Sequence, residues 1–249
     1  MRIVFLTTDD PIYLPAFFER VLDKLADETA SVCIVPPLYK GQRSLEAARR
    51  YYRTFGPAAS LQLARRVAAA RVRRRSIAAV AARRRVASRQ VGDVNAPDFL
   101  DWLRELQPDF LVSVSCPQIF RRPLLDMPTR GALNIHGAVL PNYRGIMPSF
   151  WMLANGEREA GVTIYFMNEE IDAGDICGQR IFPIEREESL DSFLVRSKAV
   201  AADLLLDVFQ QLERGSVARQ PLDLSAGSYY SWPDAAAVAR FRGAGRRLW

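Results

Sequence analysis

"DFLVSVSCPQIFRRPLLDMPTRGALNI" (109–135) holds two short apolar runs, DFLVSVS and GALNI, on either side of a polar, proline-containing connection. Such runs, bounded by turn residues, read as strands. The same reading extends outward. Upstream, "RIVFLT" (2–7) and "SVCIVP" (31–36) are strands, with helical spacing in "LPAFFERVLDKLAD" (14–27) between them. Residues 44–90 read as helical with a break at Gly56-Pro57, and "APDFLDWLRELQ" (96–107) as a further helix. Downstream come a short helix in "PSFWMLANGE" (148–157) and strands in "GVTIYFM" (161–167) and "DICGQRIFPI" (175–184). A long amphipathic helix runs from Ser189 to Arg214. Strands alternating with helices predict an α/β fold, a mostly parallel twisted sheet with helices on both faces. The 161–184 pair, joined by a short connection, is the place for antiparallel pairing. From Gly215 the chain reads as an irregular tail. The expected organisation is a domain over 1–214 and a C-terminal extension over 215–249.

Composition narrows the function classes. The chain has 249 residues, 49% hydrophobic and 25% charged, enough to bury a core without metal or disulfide staples. No stretch nears the ~18 apolar residues of a membrane span, and the start "MRIVFLTTDD" has too short an apolar run for a signal peptide. Cys33, Cys116 and Cys177 are scattered and odd in number, which indicates neither a zinc site nor a disulfide framework; a reducing cytoplasm is the expected location. The net charge is +6, and ten arginines lie between Arg65 and Arg89 with no acidic residue among them. Such a block attracts polyanions: nucleic acid, anionic lipid or a phosphorylated substrate. It also reads as a solvated helix pair, since Ala and Arg are strong helix formers. No aromatic residue interleaves the arginines, which disfavours single-stranded nucleic acid as partner.

His136 is the sole histidine. Asn134 lies two residues before it at a strand end, so both side chains point the same way. Asp172 follows in the loop after GVTIYFM. The three types suit acyl transfer: an amide N–H donating to a developing oxyanion, an imidazole moving a proton, and a carboxylate orienting the ring. The three could equally be a satisfied core ring, a turn former and a cap, and on spacing alone that is the commoner case.

"NIHGAVLPNYRGIMPSFWMLANGE" (134–157) and "AGVTIYFMNEEIDAGDI" (160–176) together resemble the 10-formyltetrahydrofolate-dependent formyltransferases. The shared pattern is N-x-H, L-P-x-Y-R-G, N-G-E, G-V-T and D-x-G-D-I, in order and at similar spacing. The resemblance implies a Rossmann-like formyltransferase fold and transfer of a formyl group from 10-formyltetrahydrofolate to an amine, without metal or covalent enzyme intermediate. It implies that Asn134 holds the formyl oxygen, His136 assists proton movement and steadies the tetrahedral adduct, and Asp172 orients His136 or a water. Met167, Asn168, Glu169 and Glu170 resemble the loop that holds the pterin ring, and Pro117, Gln118, Ile119 and Phe120 its other wall.

Departures from the pattern bear on the acceptor. Gly137 stands where the family's "HPSLLP" has proline. The first strand ends "TTDDPIYLP", without the glycine-rich phosphate cradle of the glycinamide ribonucleotide enzymes. About 35 residues follow the long helix, too few for the C-terminal barrel of methionyl-tRNA formyltransferase. The expected acceptor is therefore a small or carrier-linked amine, an amino sugar or a secondary-metabolite amine, with nucleic acid disfavoured. Asp9 and Asp10 are placed to steer a cationic amine or to cap the next helix. Arg144 is placed to meet a substrate anion or to pack on Tyr143. Cys116, beside the pterin wall, reads as an inert thiol. The alternatives are a formyltetrahydrofolate hydrolase and, in another class, a basic nucleic-acid- or membrane-surface-binding protein on the same shell. The SYYSWP segment could cover the acceptor site or form a homodimer contact.

Overall fold

The computed structural model describes residues 1–37 and 44–249. Five strands run parallel: β1 (Ile3–Thr8), β2 (Thr29–Val35), β3 (Ser88–Gln90), β4 (Phe110–Val114) and β5 (Gly131–His136). A two-residue strand, β6 (Arg144–Gly145), lies outside the sheet. β7 (Glu159–Phe166) and β8 (Ile176–Pro183) complete it in the order β3-β2-β1-β4-β5-β7-β8. The 161–184 region is antiparallel: β7 runs against both β5 and β8. β9 (Tyr229–Tyr230) pairs with β6 in a separate two-stranded ladder.

The helices are α1 (Leu14–Leu25), α2 (Ser44–Phe55), α3 (Pro57–Val72), α4 (Ile77–Arg83), α5 (Pro97–Leu106), α6 (Arg122–Leu125), α7 (Pro148–Ala154), α8 (Leu190–Glu213) and α9 (Ala235–Gly243). Pro15 is tolerated in the first turn of α1, where backbone N–H groups lack helical partners anyway. The Ser189 hydroxyl caps α8 by accepting from the Ser192 N–H at 3.1 Å. Both faces of β1 are buried, as a central parallel strand requires. Alternate residues divide between two cores: Ile3 and Phe5 pack with Phe18 of α1 and Phe209 of α8, while Val4 and Leu6 pack with Phe99 and Leu103 of α5.

Two expectations are corrected. The stretch 44–90 is three helices and a strand. Gly56 (φ +91) makes the expected break, but Arg74 (φ +51) and Arg85 (φ +60) make two more. β3 hid because Ser-Arg-Gln is exposed edge strand with no apolar alternation. The tail is also ordered. Its α9 opens on Asp234, whose carboxylate accepts from the Ala237 N–H at 2.7 Å, and buries Phe241 face-to-face on Phe150 at 4.9 Å. Its apolar residues Ala237, Val238 and Phe241 belong to the main core. A buried phenylalanine is worth about 3–5 kcal/mol against alanine, so α9 is held to the sheet domain.

Candidate active site

Asn134 and His136 sit at the carboxyl end of β5, opposite Tyr165 and Thr163 of β7. Residues directly opposite on antiparallel strands share a face and touch. The Asn134 amide donates to the Tyr165 hydroxyl at 3.0 Å, and that hydroxyl donates to Asp172 Oδ1 at 2.9 Å. His136 Nδ1 lies 3.5 Å from the same Oδ1. The structure thus brings the three expected residues together and adds a fourth, Tyr165, as the bridge. His136 and Asp172 are buried at 6% and 7% exposure. Burial first, and the Asp172 charge second, hold the Tyr165 phenol proton well above the ordinary tyrosine range, so the bridge stays a donor.

His136 Nε2 is 2.8 Å from the Tyr143 carbonyl oxygen. A carbonyl only accepts, so Nε2 carries a proton. Nδ1 therefore faces the carboxylate. Asp172 (φ +50) takes a second hydrogen bond on Oδ2 from the Gly145 N–H at 2.8 Å. An amide nitrogen has two N–H bonds; Tyr165 uses one of Asn134's, which leaves the other for a ligand.

The surrounding pattern residues each have a mechanical task. Thr163 donates to the Ala138 carbonyl at 2.7 Å and accepts from the Leu140 N–H at 3.1 Å, fixing the chain just after His136. Asn155 donates to the Tyr143 and Tyr230 hydroxyls at 3.2 and 3.1 Å. A Cβ on Gly174 would lie 1.6 Å from the Phe166 carbonyl oxygen, so only glycine fits after Asp172. At Gly137 an added Cβ meets nothing nearer than 3.8 Å, so packing does not demand glycine there.

Of the expected pterin walls, Gln118 is tied to the neighbouring loop, accepting from the Val94 N–H and donating to the Gly92 carbonyl, both at 2.9 Å. The Phe120 side chain is buried in the second core, behind the loop. Ile119 is 64% exposed beyond Gln118, and Ile171 47% exposed beyond Glu170. The Asn168 side chain braces its own loop through the Glu170 N–H at 3.0 Å. The Met167 N–H donates to the Ala132 carbonyl at 2.7 Å. Arg122, just past Phe120, approaches Glu169 to 4.0 Å, so the two loops are neighbours. Burial pushes the Cys116 thiol up to about 11, which keeps it unreactive.

Between β1 and β4 the sheet order switches direction, the usual place for a ligand crevice. Thr7 pairs with Val114 and Val114 with Ile135, so Thr8, Ser115 and His136 follow as one row at the strand ends. Lys198 of α8 donates to the Ser115 hydroxyl at 2.8 Å. The buried Thr8 hydroxyl has no hydrogen-bond partner among the described residues. Asp10 caps the turn into α1 through the Ile12 and Tyr13 N–H groups at 2.7 and 3.2 Å, with all of that load on Oδ1. Asp9 is exposed. Burial lowers the Lys198 ammonium, opposed by the Asp10 charge, and raises Asp10. Arg144 is occupied differently from expectation: its guanidinium grips the Ile171 carbonyl at 2.6 and 3.2 Å, steadying the Asp172 loop.

Sequence reading missed Tyr165, Lys198 and the tail contacts. The antiparallel register was the signal for Tyr165; for Lys198, eight residues into a long helix, there was none. Among the described residues, no group of three or more His, Cys, Asp or Glu could hold a metal ion. No described helix is long and apolar enough to cross a membrane.

Residues 1–209 match the family model described as formyl transferase. Over 136 residues the chain is 39% identical to the methionyl-tRNA formyltransferase of Syntrophus aciditrophicus, covering 55% of this chain and 44% of that protein. The matched part is less than half the length of these curated relatives. Among solved structures, the N-formyltransferase of Helicobacter canadensis, in complex with folinic acid and dTDP-3-aminofucose, superposes with a TM-score of 0.60 at 18% identity, over 93% of this chain and 71% of that one. Phosphoribosylglycinamide formyltransferase from Anaplasma phagocytophilum gives 0.62 at 15% identity, over 93% and 99%. At those identities the likeness is one of fold.

Proposed function

The chain belongs to the formyl transferase family, and on that premise we propose that it moves a formyl group from 10-formyltetrahydrofolate to a primary amine of a small or carrier-linked molecule, in the cytoplasm. The observation that carries this reading is the Asn134–Tyr165–Asp172 hydrogen-bond chain closing on the His136 ring.

The folate supplies the formyl group. The apolar side chains of Ile119 and Ile171, on loops already neighbours through Arg122 and Glu169, suit the two faces of a flat ring. Pro117, Gln118 and Met167 to Glu170 would hold it from either side. The remaining Asn134 N–H donates to the formyl oxygen as it gains charge. His136, its Nε2 proton fixed on Tyr143, holds or releases a proton at Nδ1, and Asp172 stabilises the ring when it is charged. Asp172 Oδ1 also serves as the nearby acceptor for the proton leaving the amine, and His136 would return a proton to the folate nitrogen as its bond to the formyl carbon breaks and tetrahydrofolate leaves. Residues 1–214 carry this chemistry and 215–249 form an extension of it.

For the acceptor, Ser115, Lys198 and Asp10 at these strand ends bring together a hydroxyl, an ammonium and a carboxylate. That mixture of donors and acceptors suits an amine on a hydroxylated body, as in an amino sugar. The test incubates the protein with 10-formyltetrahydrofolate and, separately, a nucleotide-linked amino sugar, glycinamide ribonucleotide and methionyl-tRNA, following tetrahydrofolate release and the formylated amine. Formylation of the amino sugar is expected. Tetrahydrofolate release without any formylated amine would replace this reading by a hydrolase.

A further inference from the structure

We propose that Ser228 and Tyr230, beyond the residues matched to the family, are positioning residues for His136 and Asp172, so that the C-terminal extension forms part of the active site. The proposal rests on the reading of that pair as the chemical groups.

Tyr143 is the hinge of the argument. Its carbonyl receives the His136 Nε2 proton, and its own N–H donates to the Ser228 hydroxyl at 2.9 Å. The same residue sits at φ +59, a conformation disfavoured for a large side chain that persists only when its surroundings impose it. The tail imposes it from two sides. Ser228 holds the backbone, and the Tyr230 ring stacks on the Tyr143 ring at 5.1 Å and 11°.

The next residues reach Asp172 by strand geometry. The Arg144 N–H donates to the Ser228 carbonyl at 2.9 Å and the Ile146 N–H to the Tyr230 carbonyl at 2.8 Å. Successive N–H groups of an extended chain point to opposite sides. The Gly145 N–H between them is thereby turned away from the tail and onto Asp172 Oδ2. One short ladder therefore aims a carbonyl at the histidine and an N–H at the carboxylate. The tail is itself anchored: the Trp151 indole donates to the Ser231 carbonyl at 3.0 Å, and the Ser228 N–H to the Pro141 carbonyl at 3.3 Å. A Cβ on Gly227 would lie 2.4 Å from that same Pro141 oxygen, so the approach is close along its length.

A segment that only added stability would leave the ring's hydrogen bonding untouched. The sole histidine makes the ring directly readable in the full-length, untagged chain. Ring 15N shifts are recorded for wild type, Ser228→Ala, Ser228→Thr and Tyr230→Ala, alongside kcat and KM for 10-formyltetrahydrofolate and the melting temperature. In wild type the neutral ring carries its proton on Nε2. In Ser228→Ala and Tyr230→Ala the shifts move toward the mixed tautomers of free imidazole. In both, kcat falls about tenfold, the size of one lost hydrogen bond, while KM changes by no more than about twofold. Ser228→Thr, which keeps the hydroxyl, restores shifts and kcat. Unchanged ring shifts and kcat in both variants, with or without a lower melting temperature, would overturn the proposal. Wild-type turnover in His136→Ala would instead overturn the catalytic reading, and the ring shifts would still report whether the tail holds the ring.

Discussion

Two stretches of similar length behave in opposite ways. From Gly131 to Asp175, side chains are spent on the protein itself: His136 on Tyr143, Thr163 on the Ala138 carbonyl and Leu140 N–H, Tyr165 between Asn134 and Asp172. Backbones approach so closely that a Cβ at Gly145 or Gly174 would clash with a neighbouring carbonyl oxygen. From Ser44 to Gln90, most charged side chains face outward, the exceptions being Arg50 over the Trp232 ring and Arg66 against Asp191 and Trp249. Arg83 and Arg84 pair with Glu19 and Asp23 on the surface of α1, and Arg89 lies over the Trp102 ring. In the first stretch identity is set by internal geometry, and a change is felt at the site. In the second it is set by solvent and helix propensity, and a change is absorbed.

Substitutions probe that contrast at descending size. Asp172→Asn keeps the shape and removes the charge; formyl transfer should fall about 10²–10⁴-fold with the melting temperature little changed. A fall below tenfold would make the first stretch no more functional than the second. Gly145→Ala would set a Cβ 2.3 Å from the Tyr230 carbonyl at φ +92. Denaturant titration should show a loss of about 1–3 kcal/mol, together with reduced turnover. Tyr165→Phe leaves Asn134 and Asp172 each short of a partner. Its kcat should drop about five- to thirtyfold, the size of 1–2 kcal/mol, with folate KM preserved; a change confined to KM would remove the bridge from the chemistry. Arg83→Ala combined with Arg84→Ala breaks two exposed ion pairs, each worth about 0–1 kcal/mol. Turnover should be unaltered, and a large loss would show that the arginine-rich stretch is not merely solvated.

The same contrast explains what could be read from the residues alone. The central strands and α8 were legible because apolar runs and helical spacing leave a local trace. The convergence of Asn134, His136 and Asp172 was legible because several spaced patterns flank them. The Tyr165 bridge was not, because its meaning comes from the β5–β7 register, and within an apolar strand a tyrosine looks like core. That the Phe120 side chain packs into the core was not legible either, because local sequence does not say which side of a loop faces inward. Arg144 was placed either to meet an anion or to pack on Tyr143, whereas its target, the Ile171 carbonyl, is 27 residues away and invisible to pattern. The tail looked irregular because its pairing partner is a two-residue strand far upstream, too short to show periodicity.

The most direct measurement compares wild type and His136→Ala for tetrahydrofolate release from 10-formyltetrahydrofolate with a productive amine. The account predicts that the variant folds with a similar melting temperature and turns over at least about 10²-fold more slowly. Equal rates on every acceptor that wild type formylates would contradict it.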